Sequence, residues 1–414
     1  MEKGSLGTCW RPSTATTSWL KTLRRKLLEE ALSLIDLNEI VNLTCDLIGF
    51  PSLTESESEI LRYVEAYCQK KGLPYQILGA RENQPNLVAA VGDPRGKTLA
   101  FNGHLDVVPI CDPSMWESDP FKARIHKGRI YGRGAVDMKS SCAVKLHILD
   151  ILKKLEDRLR GTVRVEMVSD EERGGRHGTG YLMELIQAGR LQRPDWVIIG
   201  EKSDLKIRCA ERGTFIYRVT IKGRATHTFS ARVDGVNAVY LAARVISQLE
   251  RPFTQAHPLV GYPVISVNYI QGGKAFNQVP AICEFVVDRR TVPGETLEGL
   301  KDEAVQILEG LKREYDFTYH LEVLSHSEAS MTDQTEPIVK VFETVLQDVP
   351  GVEPEFFLDW AGGTDGKYYR KLGVPTIIYG PLGDHRHGPN EYVRIDSLET
   401  LARVYLGVAL SLLA

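Results

Sequence analysis

The chain has 414 residues, 43 % hydrophobic and 25 % charged, with 51 Lys and Arg against 54 Asp and Glu. That length exceeds one ordinary core and points to two domains. A net charge of −3 gives no reason to expect nucleic acid or an anionic membrane as partner, and no apolar run approaches the ~20 residues of a membrane span.

The seven cysteines are scattered with no CxxC pair. This argues against a disulfide framework or a cysteine-based zinc site and fits a reducing, cytoplasmic setting. Residues 1–35 read as an N-terminal extension: a Ser/Thr-rich stretch over 1–19, then a helix from Leu20 to Leu34 with Arg24, Arg25 and Lys26. The composition resembles an organellar presequence, but the acids of LLEEALSLIDLNEI favour an ordinary extension.

Asp36–Gly49 and Glu55–Lys71 have helical spacing, the second closed by Gly72. Strands follow at PYQIL, NLVAAV and TLAFNG. A helix over Met138–Leu155, a strand over Thr162–Ser169, a helix over Gly178–Ala188 and a strand over Trp196–Gly200 come next. Such alternation predicts an α/β fold, a mostly parallel sheet covered by helices on both faces. Residues 208–325 change character. Strands at FIYRVTIK, VISVNYIQGG, AICEFVVDRR and TYHLEVLS, with helices at Val236–Leu249 and Leu297–Tyr315, form an inserted four-stranded α+β domain. The catalytic domain would comprise 36–207 and 326–414. Its second part adds a helix from Thr335, a strand near Glu355–Phe357, a helix after Asp365, the strand TIIYG and a C-terminal helix from Asp396.

The chain is organised around Gly128–Ser140, where an apolar pair runs through Gly132-Arg133-Gly134 to Asp137 and a helix. One carboxylate there is most often a helix cap. Other apolar runs end the same way: FNGHLDVVP in His104 and Asp106, VRVEMVSDEERGG in Asp170, Glu171 and Glu172, DWVIIGEKSD in Glu201, and IIYGPLGDHRHGPNEY in His385 and His387. Independent caps do not explain that series. His104, Asp137, Glu172, Glu201 and one of the last two histidines make a two-zinc ligand set, with one carboxylate bridging. Asp106 is placed to accept the other imidazole N–H of His104. On an extended chain Glu171 points away from Glu172, free to serve as general base. Spacing alone leaves His385 and His387 open.

The motifs GHLDVVP, WESDPF, GRIYGRGAVDMKS, SDEERGG, IIGEKSD, GRATHTFS, GGTDG and HGPNEY occur in this order within about residues 38–412. They resemble the acetylornithine deacetylase / succinyl-diaminopimelate desuccinylase family of metallohydrolases, which also includes aminoacylase, carnosinase-type dipeptidases and glutamate carboxypeptidase. The resemblance implies two zinc or cobalt ions per chain. His104 and Glu201 would hold one, Glu172 and His387 the other, with Asp137 bridging and followed by a cis peptide. It selects His387 by the H-x-x-N-E pattern and makes Glu171 the base. It gives His227 a part in holding the reacting carbonyl oxygen, often across a homodimer formed by the inserted domain acting as lid. Asn277 and Arg290 fall at substrate-side positions. Arg290 would take a substrate carboxylate, aided by backbone amides of the loop Gly362-Gly363-Thr364-Asp365. Two departures are Lys202, where the family usually has Pro, and Arg173 after Glu172. The implied reaction is hydrolysis of an amide beside a free carboxylate, in an N-acyl amino acid. A dipeptidase or carboxypeptidase on the same site is the alternative. A third reading, an inactive binding protein, is opposed by the complete ligand set and Glu171.

Overall fold

The structure is a computed structural model and describes residues 25–358 and 362–414. The Ser/Thr-rich stretch read over 1–19 lies outside the described residues, and residues 25–33 are helical. The chain divides into two compact units. The first runs to Leu205 and takes in Pro337–Pro354 and Tyr379–Ala414; the second comprises Lys206–Glu336 and Glu355–Ile378. The loop Gly362–Asp365 therefore counts with the second unit.

In the first unit, helix Leu37–Ile48 starts at Asp36, whose side chain accepts from the Asn38 and Glu39 amides. Helix Ser58–Lys71 ends on Gly72 in the left-handed conformation. Five strands lie in the order Tyr75–Arg81, Gln84–Gly92, Thr162–Val168, Thr98–His104, Trp196–Ile199. The first two form an antiparallel hairpin, and Gln84–Gly92 is also antiparallel to Thr162–Val168. The centre is parallel: Thr98–His104 runs alongside Thr162–Val168 on one side and Trp196–Ile199 on the other. All residues of Thr98–His104 are buried, which is why that strand reads as an apolar run rather than an alternation. Helix Ser140–Lys154 is buried on every side as far as Leu152, as befits a helix with little polar face.

A small sheet escapes the sequence reading. Gly383–Asp384, Tyr392–Arg394, Arg129–Tyr131 and Arg124–His126 pair in that order. Strands of two or three residues are too short to show a period. This sheet ties the approach to Asp137 to the loop that carries His387. The strand expected near Glu355–Phe357 reduces to a single bridge between Ile207 and Phe356, because no longer partner run lies beside it.

The second unit has a four-stranded antiparallel sheet in the order Val264–Gly272, Ile282–Thr291, Gly213–Lys222, Thr318–Ser327. Gly213–Lys222 alternates, burying Phe215, Tyr217, Val219 and Ile221 against helices Ala238–Leu249 and Leu297–Lys312. Among the described residues, no helix is long and apolar enough to cross a membrane.

Candidate metal centre

Three adjacent parallel strands aim their carboxyl ends at one place, the usual position of a site in an open α/β sheet. Thr98–His104 ends in His104 itself. Thr162–Val168 leads into Asp170, Glu171 and Glu172, and Trp196–Ile199 leads through Gly200 to Glu201. Asp137 arrives from the turn before helix Ser140–Lys154. Gly134 makes that turn in the left-handed region, at φ 82°; a Cβ there would come within 2.8 Å of the Lys139 side chain and 2.9 Å of Val107. The Asp137–Met138 peptide is cis.

The ligand-type side chains meet closely. His104 Nε2 lies 3.2 Å from Asp137 Oδ1 and 3.2 Å from Glu201 Oε1. His387 Nε2 lies 3.1 Å from Asp137 Oδ2 and 3.2 Å from Glu172 Oε2. Asp137 thus turns one oxygen toward each histidine. Ligand atoms of His104, Glu171 and Glu201 lie within 4.8 Å of one another, as do those of His104, Asp137 and Glu172. His385 is not in this group; it is exposed, with its Nδ1 3.2 Å from the Pro389 carbonyl and its ring edge-on to Tyr392.

Supporting contacts explain how so many acids are held. Asp106 has 0 % exposure. The Nδ1 of His104 is 2.9 Å from the Asp106 backbone carbonyl and 3.5 Å from its Oδ1. The nearer acceptor is therefore the main chain, not the expected carboxylate. The carboxylate instead accepts from the amides of Glu171 at 3.1 Å and Glu172 at 3.2 Å, and from Thr54 Oγ1 at 2.8 Å. One residue so links two strand ends. Glu171–Arg173 is a 3₁₀ turn entered through Asp170 at φ 70°, so Glu171 and Glu172 part by a turn and not by strand alternation. Asp170 is itself fixed by Gln84, the His177 amide and, at its own amide, Glu57.

Glu391 was missed by the sequence reading. Fully buried, it accepts from the amides of Gly134 at 3.0 Å, Val136 at 2.9 Å and Asp137 at 3.1 Å, and pairs with Arg133 at 2.8 Å. It locks the turn that presents Asp137. The signal was available in the N-E that ends HGPNEY, which there served only to choose a histidine.

The electrostatics follow from crowding. Burial by itself would push the His104 imidazole down, but Asp106, Asp137 and Glu201 hold it well above its usual range. Asp137 and Glu172 raise His387 to about 10. Burial works to raise Asp137, yet His104 and His387 keep it far below the usual carboxylate range. Burial, with the Asp137 charge beside it, pushes Glu201 up. Behind the cluster, burial lowers Lys139 to about 7 and Lys145 to about 8, their ammonium groups donating to the Phe50 and Asn102 carbonyls.

These residues fit divalent cations. Each Nε2 faces two carboxylate oxygens, although one N–H serves one acceptor well. Glu201 Oε2 is buried with no hydrogen-bond partner, a state that costs free energy unless something cationic occupies the gap. Imidazole nitrogen and carboxylate oxygen, without sulfur, are donors suited to zinc or similar ions.

The second unit's candidates have a different setting. His227 is exposed and its Nδ1 accepts from the Phe229 amide at 3.2 Å; the adjoining Asn277 carbonyl accepts from the Thr228 amide at 3.0 Å. Arg290 pairs twice with Asp288, at 3.0 Å each. Gly363 is exposed. The Thr364 amide already donates to the Glu211 carboxylate, which corrects the expectation that it is open to a substrate.

A parallel sheet whose strand ends converge on imidazoles and carboxylates carries the donor set of a metal-dependent hydrolase. Residues 100–411 match Peptidase family M20/M25/M40, and the chain belongs to that family. It is a metal-dependent hydrolase of amide bonds. Succinyl-diaminopimelate desuccinylase of Rickettsia bellii is 28 % identical over 373 residues, 87 % of this chain and 93 % of that protein. Among solved structures, a tripeptidase from Staphylococcus aureus matches with TM-score 0.74 and 20 % identity, over 92 % of this chain and 99 % of the other. The Bacillus subtilis YXEP protein, described as a dinuclear metal-binding peptidase of the M20 family, matches with TM-score 0.70 and 18 % identity, over 91 % and 98 %.

Proposed function

We propose that the protein removes an acyl group, such as succinyl or acetyl, from an N-acyl amino acid, using two divalent cations, zinc or cobalt. The observation that carries this reading is Asp137, with one oxygen toward His104 and Glu201 and the other toward His387 and Glu172. His104 and Glu201 would hold one cation, His387 and Glu172 the other, and Asp137 both. Bound there, divalent cations supply Lewis-acid polarisation of the amide carbonyl and acidify a water. Glu171 accepts the proton of the attacking water and passes it to the leaving amine nitrogen. Asp106 keeps Glu171 and Glu172 at their stations through their amides and fixes the His104 ring through its own carbonyl. Glu391 holds Asp137. His227, from the second unit, donates to the carbonyl oxygen as negative charge develops there.

The desuccinylase names among the relatives support an acyl substrate. The test is metal analysis of the purified protein together with a screen of N-succinyl and N-acetyl amino acids and dipeptides. Turnover of the acyl compounds is expected; turnover of dipeptides alone would replace the deacylase by a dipeptidase. A homodimer through the second unit is part of the proposal. The edge strand Val264–Gly272 leaves Val264, Tyr269 and Ile270 exposed, and an open edge is a natural twofold contact. Sedimentation at micromolar concentration tests it; a fully active monomer would remove it.

A further inference from the structure

Two of the ligand-type residues stand just past the point where a pair of strands stops pairing. Thr98–His104 and Trp196–Ile199 are matched in parallel as far as Asn102 beside Ile199. The next bond, from the Gly200 amide to the Asn102 carbonyl, is already long at 3.4 Å. The two chains then run on to His104 and Glu201, whose Nε2 and Oε1 lie 3.2 Å apart. A lysine holds them at that point. Lys145, from helix Ser140–Lys154, is fully buried, and its ammonium donates to the Asn102 carbonyl at 2.5 Å. The residues just before the two ligands are both glycines, Gly103 and Gly200. A Cβ on Gly103 would come within 2.7 Å of the Lys145 Nζ; one on Gly200 would come within 2.8 Å of its Cε and closer still to Nζ. Glycine at both places leaves the room that the ammonium occupies.

The same helix takes two further carbonyls of these strand ends. Ser141 Oγ donates to the Gly200 carbonyl at 2.5 Å, and Cys142 Sγ to the His104 carbonyl at 3.3 Å. Ser141 and Lys145 stand one turn apart on one helix face. The helix begins three residues after Asp137. One element therefore carries Asp137 into its start and grips the chain beside His104 and Glu201. A methionine would fill the volume of Lys145 without the cost of burying an ammonium. Burial brings Lys145 down only to about 8, so it stays charged at neutral pH, facing Glu201, Glu166 and Cys142.

We propose that Lys145 is a positioning residue for the metal centre: with Ser141 it pins the ends of the two strands, and so fixes how His104 and Glu201 stand toward the cation they share. The inference rests on the ligand assignment proposed above and extends it to a residue behind the ligands.

Cobalt tests it, by calorimetric titration of the chelator-treated protein and by the visible absorption of the bound ion. The parent is titrated first and is expected to bind cobalt in two steps. Lys145→Met keeps the stem and removes the ammonium. In that variant the step that His104→Ala also removes should weaken by about 10–100-fold, the usual range for a residue that supports a ligand. The cobalt absorption of that step should shift, while the other step keeps its parental affinity. Replacing a buried charge by an apolar side chain of like volume is not expected to unfold the protein. Should Lys145→Met fail to fold, Ser141→Ala takes its place, with a smaller weakening and shift expected at the same step. Parental affinities and absorption in the folded variant would overturn the proposal. Equal weakening of both steps would overturn it too, since general loosening of the fold gives that result. A parent that binds no cobalt would instead overturn the ligand assignment itself.

Discussion

In the first unit most of the chemistry-bearing side chains are buried and press on one another, with His387 half-exposed; in the second, His227 is exposed, Arg290 is half-buried, and both are locally satisfied. His104, Asp137 and Glu201 are at most 5 % exposed and share contacts near 3.2 Å. His227 caps a turn, and Arg290 sits paired to Asp288. Burial of several acids around two imidazoles is costly unless a cation compensates it. Such a cluster declares a purpose by its cost. The second unit's residues carry no such mark, and each would look the same on an ordinary protein surface.

That contrast can be broken most directly at Glu171. Glu171→Gln should keep bound metal and fold while losing on the order of 10²–10⁴-fold in kcat, the usual contribution of a general base; near-parental kcat would mean that another group takes the proton. Next in size is Glu391→Ala, which strips the partner from buried Arg133 and from three amides of the Asp137 turn. Breaking a buried pair this way costs about 3–5 kcal/mol, read as a lower midpoint in chemical denaturation. A change within about 0.5 kcal/mol would show that the turn holds itself.

A smaller effect separates the metal-free from the loaded protein. With its pKa raised to about 10 by Asp137 and Glu172, His387 stabilises the metal-free fold fully below the ordinary histidine range near 6.5. That contribution is lost as pH rises through about 10. The melting temperature of the chelator-treated protein should fall between pH 7 and 10. The loaded protein should show a flatter profile there, since a ligand imidazole is already neutral. Parallel profiles would remove His387 from the set. The smallest effect is expected at Arg290→Ala. The pair with Asp288 is partly exposed and worth at most about 1 kcal/mol, and KM for a carboxylate substrate should stay near the parental value. A large rise in KM would make Arg290 the residue that takes the substrate carboxylate.

Much of the clustering was legible in the amino-acid order because strand ends and candidate ligands coincide. His104, Glu172 and Glu201 each follow an apolar run, so finding the strand finds the residue. Phe215 to Ile221 declared its sheet by alternation. Other features depend on contacts between distant segments, where no period helps. Glu391 acts on residues more than 250 positions earlier. The double use of Asp106 depends on a 3₁₀ turn in place of the expected extended chain. The small sheet is built from pieces shorter than any repeat. The Asp288 partner of Arg290 sat two residues away, yet only geometry shows that the pair forms.

The grip of Glu391 on the Asp137 turn also bears on the order in which the molecule is made. Domains tend to form in step with synthesis, amino-terminal parts first. Here the segments that carry His104, Asp137, Glu172 and Glu201 emerge early, whereas His387 and Glu391 belong to Tyr379–Ala414, which follows the second unit. A ribosome must finish nearly the entire chain before the turn beneath Asp137 is pinned and the second histidine arrives. Until then the growing polypeptide carries a cluster of acids with one imidazole among them, and the candidate metal centre is assembled last.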